Sequence, residues 1–167
     1  VEFRAGTVYD LARWPDRFDL VMFLGVFYHL RYPLLGLDLA AEKAARRLIF
    51  QTLTIPGEEV LEVPEDQDFD HREAMLEPGW PKLAFIEKRL AGDPTNWWAP
   101  NHAAVEAMLR TTGMAVVARP AHEIYVAEPL YSKTYDNAEL RAATGRGPGA
   151  AGPGLVTPGG GRAGDAT

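Results

Sequence analysis

The sequence predicts an α/β fold built around a strand–helix–strand unit, and three observations predict it. The run FDLVMFLGV at residues 18–26 is near-continuously apolar and of strand length, as a strand covered on both faces of a sheet reads. A second apolar and β-branched run, residues 48–55, is stopped by Pro56-Gly57, which is how strands are punctuated. Between them Pro33 is placed to open a helix as its first residue. Leu34, Leu35, Leu37, Leu39, Ala41, Ala44 and Ala45 then give that helix an apolar lining. A strand, a helix and a strand in this order form a parallel βαβ unit, the building block of doubly wound sheets.

The flanking elements follow in order. Residues 1–4 read as a short strand, and residues 5–16 carry the turn signals Gly6 and Trp14-Pro15-Asp16. The central strand occupies residues 19–26. Its helix closes with Lys43, Arg46 and Arg47, cations that oppose the dipole at a helix C-terminus. Residues 58–100 form an irregular insertion with one helix at about residues 82–90. Its four apolar anchors, Trp80, Phe85, Trp97 and Trp98, predict an ordered lid, since long structureless loops in a domain are usually functional or disordered. Asn101 is a good N-cap for a helix over residues 102–112. Val105, Met108 and Leu109 form that helix's core face, and Gly113 stops it. Residues 114–119 and 123–127, joined by Pro120-Ala121-His122, read as a closing antiparallel hairpin.

This places one folded unit over residues 1–136, with the insertion at 58–100, and a Gly/Pro-rich tail over 137–167. From Gly145 onward Gly and Pro make up 12 of 23 residues, with no aromatic. Such a composition cannot bury enough apolar surface to order itself. Gly145-Arg146-Gly147-Pro148-Gly149 superficially matches a nucleotide loop. A phosphate-binding loop must follow a strand and open a helix, and this one does neither.

Composition narrows the function classes. The chain has 167 residues, 47% of them hydrophobic, and no cysteine. Disulfides, thiolate metal sites and a cysteine nucleophile are thereby excluded. No apolar run approaches the roughly 20 residues of a membrane span, and the opening Val1-Glu2-Phe3-Arg4 does not read as a signal peptide. The expected setting is cytoplasmic. Net charge is −6, unevenly placed. Residues 58–77 hold nine acids (Glu58, Glu59, Glu62, Glu65, Asp66, Asp68, Asp70, Glu73 and Glu77) against Arg72 alone. That stretch repels a phosphate backbone, which favours a small-molecule partner over nucleic acid. His71, His102 and His122 are scattered without ligand spacing, so no metal site is predicted.

The run FDLVMFLGVFYHLRYPL, followed by a strand ending QTLTIPG, resembles the class I S-adenosylmethionine-dependent methyltransferases. Within that class it is most similar to the branch containing the tRNA wobble-uridine carboxymethoxy transferases. The similarity is clearest over residues 6–57 and returns at Trp98-Ala99-Pro100-Asn101. The resemblance implies a Rossmann-like sheet and S-adenosylmethionine (SAM) as cofactor. It also implies that the chain is the back half of the fold. On that alignment residues 1–4 are strand three, 19–26 strand four and 48–55 strand five, in a partial, mostly parallel sheet. The closing hairpin is the last two strands, and the glycine-rich cofactor turn is upstream.

The resemblance also assigns residues. Tyr9 and Asp10 fall in the loop that contacts adenine, where a carboxylate accepts from the amino group; as a loop acid, Asp10 equally reads as a helix cap. Leu24 and Tyr28 fall beside the sulfonium, where a tyrosine offers a ring face to a cation, and Gly25 is a further cofactor-binding candidate. Tyr28 and His29 are the candidate catalytic pair. His29 is either a proton acceptor suited to neutral pH or a brace for its loop. Trp97 and Trp98 are candidate substrate-binding residues, as a stacking wall, or else pins for the lid. The implied reaction is methyl transfer to an oxygen or nitrogen of a small metabolite or saccharide. The alternatives are tRNA wobble-uridine modification and a catalytically inactive fragment.

Overall fold

A computed structural model describes residues 1–130 and 138–145. A 3-10 helix at Val8–Arg13 precedes β1 (Phe18–Leu24), and a 3-10 turn at Phe27–His29 leads into α1 (Pro33–Lys43) and β2 (Ala44–Gln51). The insertion carries a 3-10 segment at Phe69–Leu76, then β3 (Leu83–Phe85) and β4 (Trp98–Pro100). The chain continues through α2 (His102–Thr111), β5 (Met114–Ala121), β6 (Ile124–Pro129) and α3 (Ala138–Ala143). Four strands form the main sheet in the order β1-β2-β6-β5, and β3 pairs with β4 separately.

The predicted βαβ unit is present. Strands β1 and β2 run parallel, with Val21 opposite Leu48 and Phe23 opposite Phe50. Strand β6 enters antiparallel between β2 and β5. With one parallel and two antiparallel pairings, the sheet is mixed rather than mostly parallel. The closing hairpin accounts for the β5–β6 pairing: the two strands are joined by the two-residue turn His122-Glu123, and so short a connection permits only antiparallel pairing. Strand β6, the reversed one, is the strand that lies beside β2, which makes that pairing antiparallel too.

The core lies on one face of this sheet. Phe23, Phe50 and Tyr125 are neighbours across three strands, with ring centroids 5.9 Å and 6.2 Å apart. Phe27 meets Phe50 edge-on at 5.4 Å. Leu37, Ala40 and Ala41 of α1 and Val105 and Leu109 of α2 pack into the same cluster. Both helices therefore cover the same face, so the described residues make two layers rather than a doubly wound sheet. Among the described residues nothing covers the second face of β1. Phe18, Leu20, Met22 and Leu24 alternate along its other face and are between 42% and 60% exposed. An apolar run on its own does not say whether one or two faces are covered. Among the described strands β1 is the sheet's edge, and its outward residues are apolar too.

Other boundaries also move. Residues 1–4 form no strand, and Val1 and Phe3 are exposed. An extended backbone becomes a strand only when a neighbour takes its N–H and C=O groups, and among the described residues none lies beside it. Helix α1 stops at Lys43, and β2 starts at once with Ala44, so Arg46 and Arg47 lie on the strand. Arg17 sets this switch by donating to the carbonyls of Glu42 and Ala44 at 3.1 and 3.0 Å. Buried Lys43 donates to the Trp14 carbonyl. Arg47 pairs across the sheet with Glu128 at 2.8 Å. Strand β2 ends at Gln51, so residues 52–55 fall outside it.

The helix predicted at residues 82–90 is absent. Leu83–Phe85 instead pair with Trp98–Pro100, because Asn101 and Lys82 bond each other in both directions at 3.0 Å. Helix α2 begins and ends as predicted: the Asn101 side chain accepts from Ala104 N–H at 2.9 Å, and Gly113 follows at φ 82°. Helix α3 falls inside the segment assigned to the tail, with Leu140 buried. Its sequence AELRAA consists of good helix formers, and the Gly/Pro bias starts only after it. The loop-like motif at residues 145–149 and the tail lie outside the described residues beyond Gly145. No helix among the described residues is long and apolar enough to cross a membrane.

One-sided burial predicts a sharp contrast in stability. Phe50→Ala is expected to cost about 3–5 kcal/mol, whereas Met22→Ala on the bare face should cost about 0.5 kcal/mol or less. Urea denaturation of both variants checks this, and a large loss for Met22→Ala would mean that the face is covered in solution.

Candidate functional site

The candidate site is built where β1 and β2 end side by side. Leu24, the last residue of β1, is opposite Gln51, the last of β2. Gly25 then turns the chain at φ 69°, a left-handed conformation that glycine adopts without steric cost. Its amide bonds the Gln51 carbonyl at 3.3 Å. A Cβ at Gly25 would lie 3.6 Å from Gln51 Oε1 and 3.8 Å from the Tyr28 hydroxyl. The missing side chain thus leaves a small space bounded by an amide oxygen and a phenol. The 3-10 turn that follows buries Phe27 in the core and so fixes the direction of Tyr28 and His29. Gln51 is the residue of this group that the sequence did not single out. The end of a predicted strand beside a glycine turn was the available signal.

Tyr9 and Asp10 lie on the 3-10 helix Val8–Arg13, half-buried. That helix packs beside the Tyr28 turn: Val8 touches the position of a Gly36 Cβ, and Leu30 would collide with it. The absent side chain at Gly36 therefore lets the two segments close over α1. Asp10 also serves as a cap. Its Oδ2 accepts from the Thr7 amide at 2.8 Å and the Thr7 hydroxyl at 2.9 Å. These bonds, the amide first, hold the Asp10 carboxyl below its ordinary pKa.

The insertion is fastened to the same turn. Trp97 N–H donates to the Tyr28 carbonyl at 2.8 Å, and Trp98 Nε1 donates to the Leu30 carbonyl at 3.1 Å. Phe85 lies against both indoles, with centroids 6.2 and 5.0 Å away. Arg31 covers the Phe85 and Trp97 rings at 5.6 and 5.0 Å. In this arrangement the two tryptophans pin the insertion. His29 Nδ1 is within 3.0 Å of the Thr95 hydroxyl and 3.2 Å of its carbonyl. Thr95 is itself held by Asp93 at 2.7 Å. His29 therefore braces the insertion through one ring nitrogen. Tyr28 and His29 are adjacent, with ring centroids 4.2 Å apart.

A second cluster was not visible in the sequence. The histidines do not stay scattered: the fold brings His102 and His122 to 4.8 Å between ring centroids, edge to face. Glu58 Oε1 is 2.8 Å from His122 Nδ1 and 3.6 Å from His102 Nε2. Arg119 bonds the other Glu58 oxygen. His102 is fully buried; its Nδ1 bonds the Tyr125 hydroxyl, and its Nε2 has no hydrogen-bond partner among the described residues. Burial lowers the His102 pKa and raises that of Tyr125. The bond from His122 lowers that of Glu58. His71 lies elsewhere, bonded at its carbonyl by Gln67.

No protein-family model matches the chain, and no curated protein matches it. Among solved structures it is similar to magnesium protoporphyrin IX methyltransferase from Synechocystis PCC 6803 with bound SAH, at 20% identity and a TM-score of 0.40. That match covers 72% of this chain and 48% of the other. It is also similar to the N-terminal domain of EvdMO1 in the presence of SAH and D-fucose, at 22% identity and a TM-score of 0.42. The match covers 77% of this chain and 54% of that one. The same domain with SAH bound gives 22% and 0.41, over 76% and 52%. The chain spans about half the length of each of these.

The His102 environment sets a pH dependence. Unfolded, its imidazole takes a proton near its ordinary value of 6.5; folded, it does so only at lower pH. Stability is thus fully present above about pH 6.5 and is lost as pH falls through the folded value. Glu58, His122, Arg119 and Glu106 set the local field. His102→Gln should flatten the decline in unfolding free energy between about pH 7 and pH 5, read by urea melts. An unchanged slope would sink this assignment.

Proposed function

We propose that this chain transfers a methyl group from SAM to an oxygen or nitrogen of a small metabolite or saccharide. The carrying observation is the strand-end geometry. Two parallel strands end together, and Gly25, the Tyr28 hydroxyl and the Gln51 amide oxygen border one small space. Ligands of open α/β sheets sit outside the carboxyl ends of the strands. The resemblance of FDLVMFLGVFYHLRYPL to class I methyltransferases is the second support.

The residues present suit the cofactor. Gly25 leaves room for a close approach, and the Tyr28 ring offers a π face to a cation. Asp10 holds Thr7 through Oδ2, and its Oδ1, 3.7 Å from Arg13 Nη1, is the oxygen that would accept from an adenine amino group. Leu24 and Tyr9 supply apolar contact. When bound, SAM supplies an electrophilic methyl on a sulfonium. The chain's own part is orientation: Tyr28 sets the acceptor's approach, and His29 uses its remaining nitrogen, Nε2, to take the acceptor's proton. Trp97, pinned to the Tyr28 carbonyl, fixes the wall facing that approach. The acidic run at residues 58–77 forms the first half of the insertion and repels polyanions, which supports a small acceptor over tRNA. The bare face of β1 favours a second reading, in which the chain completes its site only by pairing with another polypeptide.

Calorimetric titration with SAM and S-adenosylhomocysteine tests the proposal. Micromolar binding is expected, weakened about 2- to 12-fold by Tyr28→Phe, the worth of one hydrogen bond. Asp10→Ala should weaken it at least as much. No binding by a chain that circular dichroism shows to be folded would overturn the proposal for this chain and leave the second reading.

A further inference from the structure

We infer that Glu58, His102 and His122 form a binding site for one first-row divalent cation, with zinc the ion their chemistry suits best. The inference is independent of methyl transfer and rests on how these three side chains are held.

The ligand atoms come from three separate parts of the fold. Glu58 follows β2, His102 is the first residue of α2, and His122 lies in the β5–β6 turn. Their ligand atoms all lie within 4.8 Å of one another. In a tetrahedral site with metal–ligand bonds near 2.0–2.1 Å, neighbouring ligands are about 3.3 Å apart. The two separations from Glu58 Oε1, 2.8 and 3.6 Å, straddle that value. Small side-chain adjustments complete the geometry.

Each ligand is also fixed from behind. Tyr125 holds His102 Nδ1, Arg119 holds the second Glu58 oxygen, and Thr54 Oγ1 lies 3.4 Å from His122 Nε2. The atoms left to converge are His102 Nε2, His122 Nδ1 and Glu58 Oε1. Partners on the far side of ligating histidines and carboxylates are a regular feature of metal sites. The second observation is the orphaned His102 Nε2. It is fully buried and points at the cluster, yet bonds nothing among the described residues. A buried polar atom without a partner calls for an explanation, and a bound cation supplies one.

The donor set selects the ion. Two imidazoles and one carboxylate suit zinc and its neighbours, whereas magnesium and calcium favour all-oxygen shells. Glu58 and His122 are exposed at the surface, so an ion enters from solvent and keeps a position open to water. On binding, the cation displaces the proton shared by His122 Nδ1 and Glu58 Oε1, which leaves to solvent. His102 then donates from Nδ1–H to the Tyr125 oxygen and ligates through Nε2. Arg119 opposes a cation, but Glu58, Glu106 and Glu123 act on the same neighbourhood, so carboxylates outnumber it.

The test uses the full chain and cobalt(II) as probe. One equivalent of Co2+ should give visible d–d bands, which Zn2+ then bleaches by displacement. His122→Ala and Glu58→Gln alter exposed positions and should keep the native circular dichroism while weakening Co2+ binding at least 10-fold. Tyr125→Phe keeps all three ligands and should weaken binding by about 10–100-fold, the usual effect of losing an outer partner. The absence of d–d bands in the wild-type chain would overturn the site. So would bands that survive both ligand substitutions, or that vanish instead with His71→Ala. None of these readouts involves SAM, so failure here leaves the methyl-transfer proposal standing.

Discussion

Much of the structure depends on Asn101. Its Oδ1 accepts from Ala104 N–H, starting α2, and from Lys82 N–H, aligning β3 with β4. Its Nδ2 donates to the Trp80 carbonyl at 2.6 Å, and its backbone amide donates to Lys82. One residue thus caps a helix, sets a strand register and ties down the insertion. A cap is worth about 1 kcal/mol by itself. Losing this one would also leave the half-buried Lys82 N–H and Trp80 C=O without these partners, which adds to the loss of the cap. His102 follows at once, so the same residue that orders the insertion delivers the buried histidine.

The parts of the fold that the sequence disclosed are those with local causes. Pro33 starts α1, Asn101 and Gly113 bound α2, and the apolar runs mark β1 and β2; each signal lies within a few residues of its effect. What it did not disclose depends on distant partners. The choice between strand and helix at residues 83–85 was settled by pairing with residues 98–100. The early start of β2 was settled by Arg17, far back in the chain. Whether one or two faces of β1 are covered is decided by where α2 returns, and α2 starts 78 residues after β1 ends. Of the candidate site, Gly25 and the Tyr28-His29 turn were readable because glycine and an aromatic pair end a strand. Gln51 and the Glu58, His102 and His122 cluster were not. Their meeting is a product of three chain segments and has no spacing to read.

Both clusters sit at the same end of the sheet, and for one physical reason. Beyond Gln51 the ladder stops and the backbone must find other partners. Thr52 N–H turns to the Glu123 carbonyl at 3.4 Å, Thr54 N–H to the Glu123 carboxylate at 2.8 Å, and Ile55 N–H to Pro100 at 2.8 Å. These bonds draw the end of β2, the β5–β6 turn and the start of α2 together. They bring Glu58 and His122 beside His102. On the other side of β2, the same strand end holds Gly25 against Gln51.

The turn at Tyr28 and the insertion then stabilise each other. The Trp97 amide satisfies the Tyr28 carbonyl, the Trp98 indole satisfies that of Leu30, and Thr95 meets His29. A short 3-10 turn exposes carbonyls that water would otherwise bind, so the insertion replaces solvent at the very carbonyls that orient Tyr28. The core fixes the turn from below through Phe27, and the insertion fixes it from above. Neither contribution uses the bare face of β1. The side of the sheet that carries the helices therefore supplies the stability and fixes the Tyr28 turn, while of the outward apolar residues of β1 only Leu24, at the strand end, belongs to the candidate site.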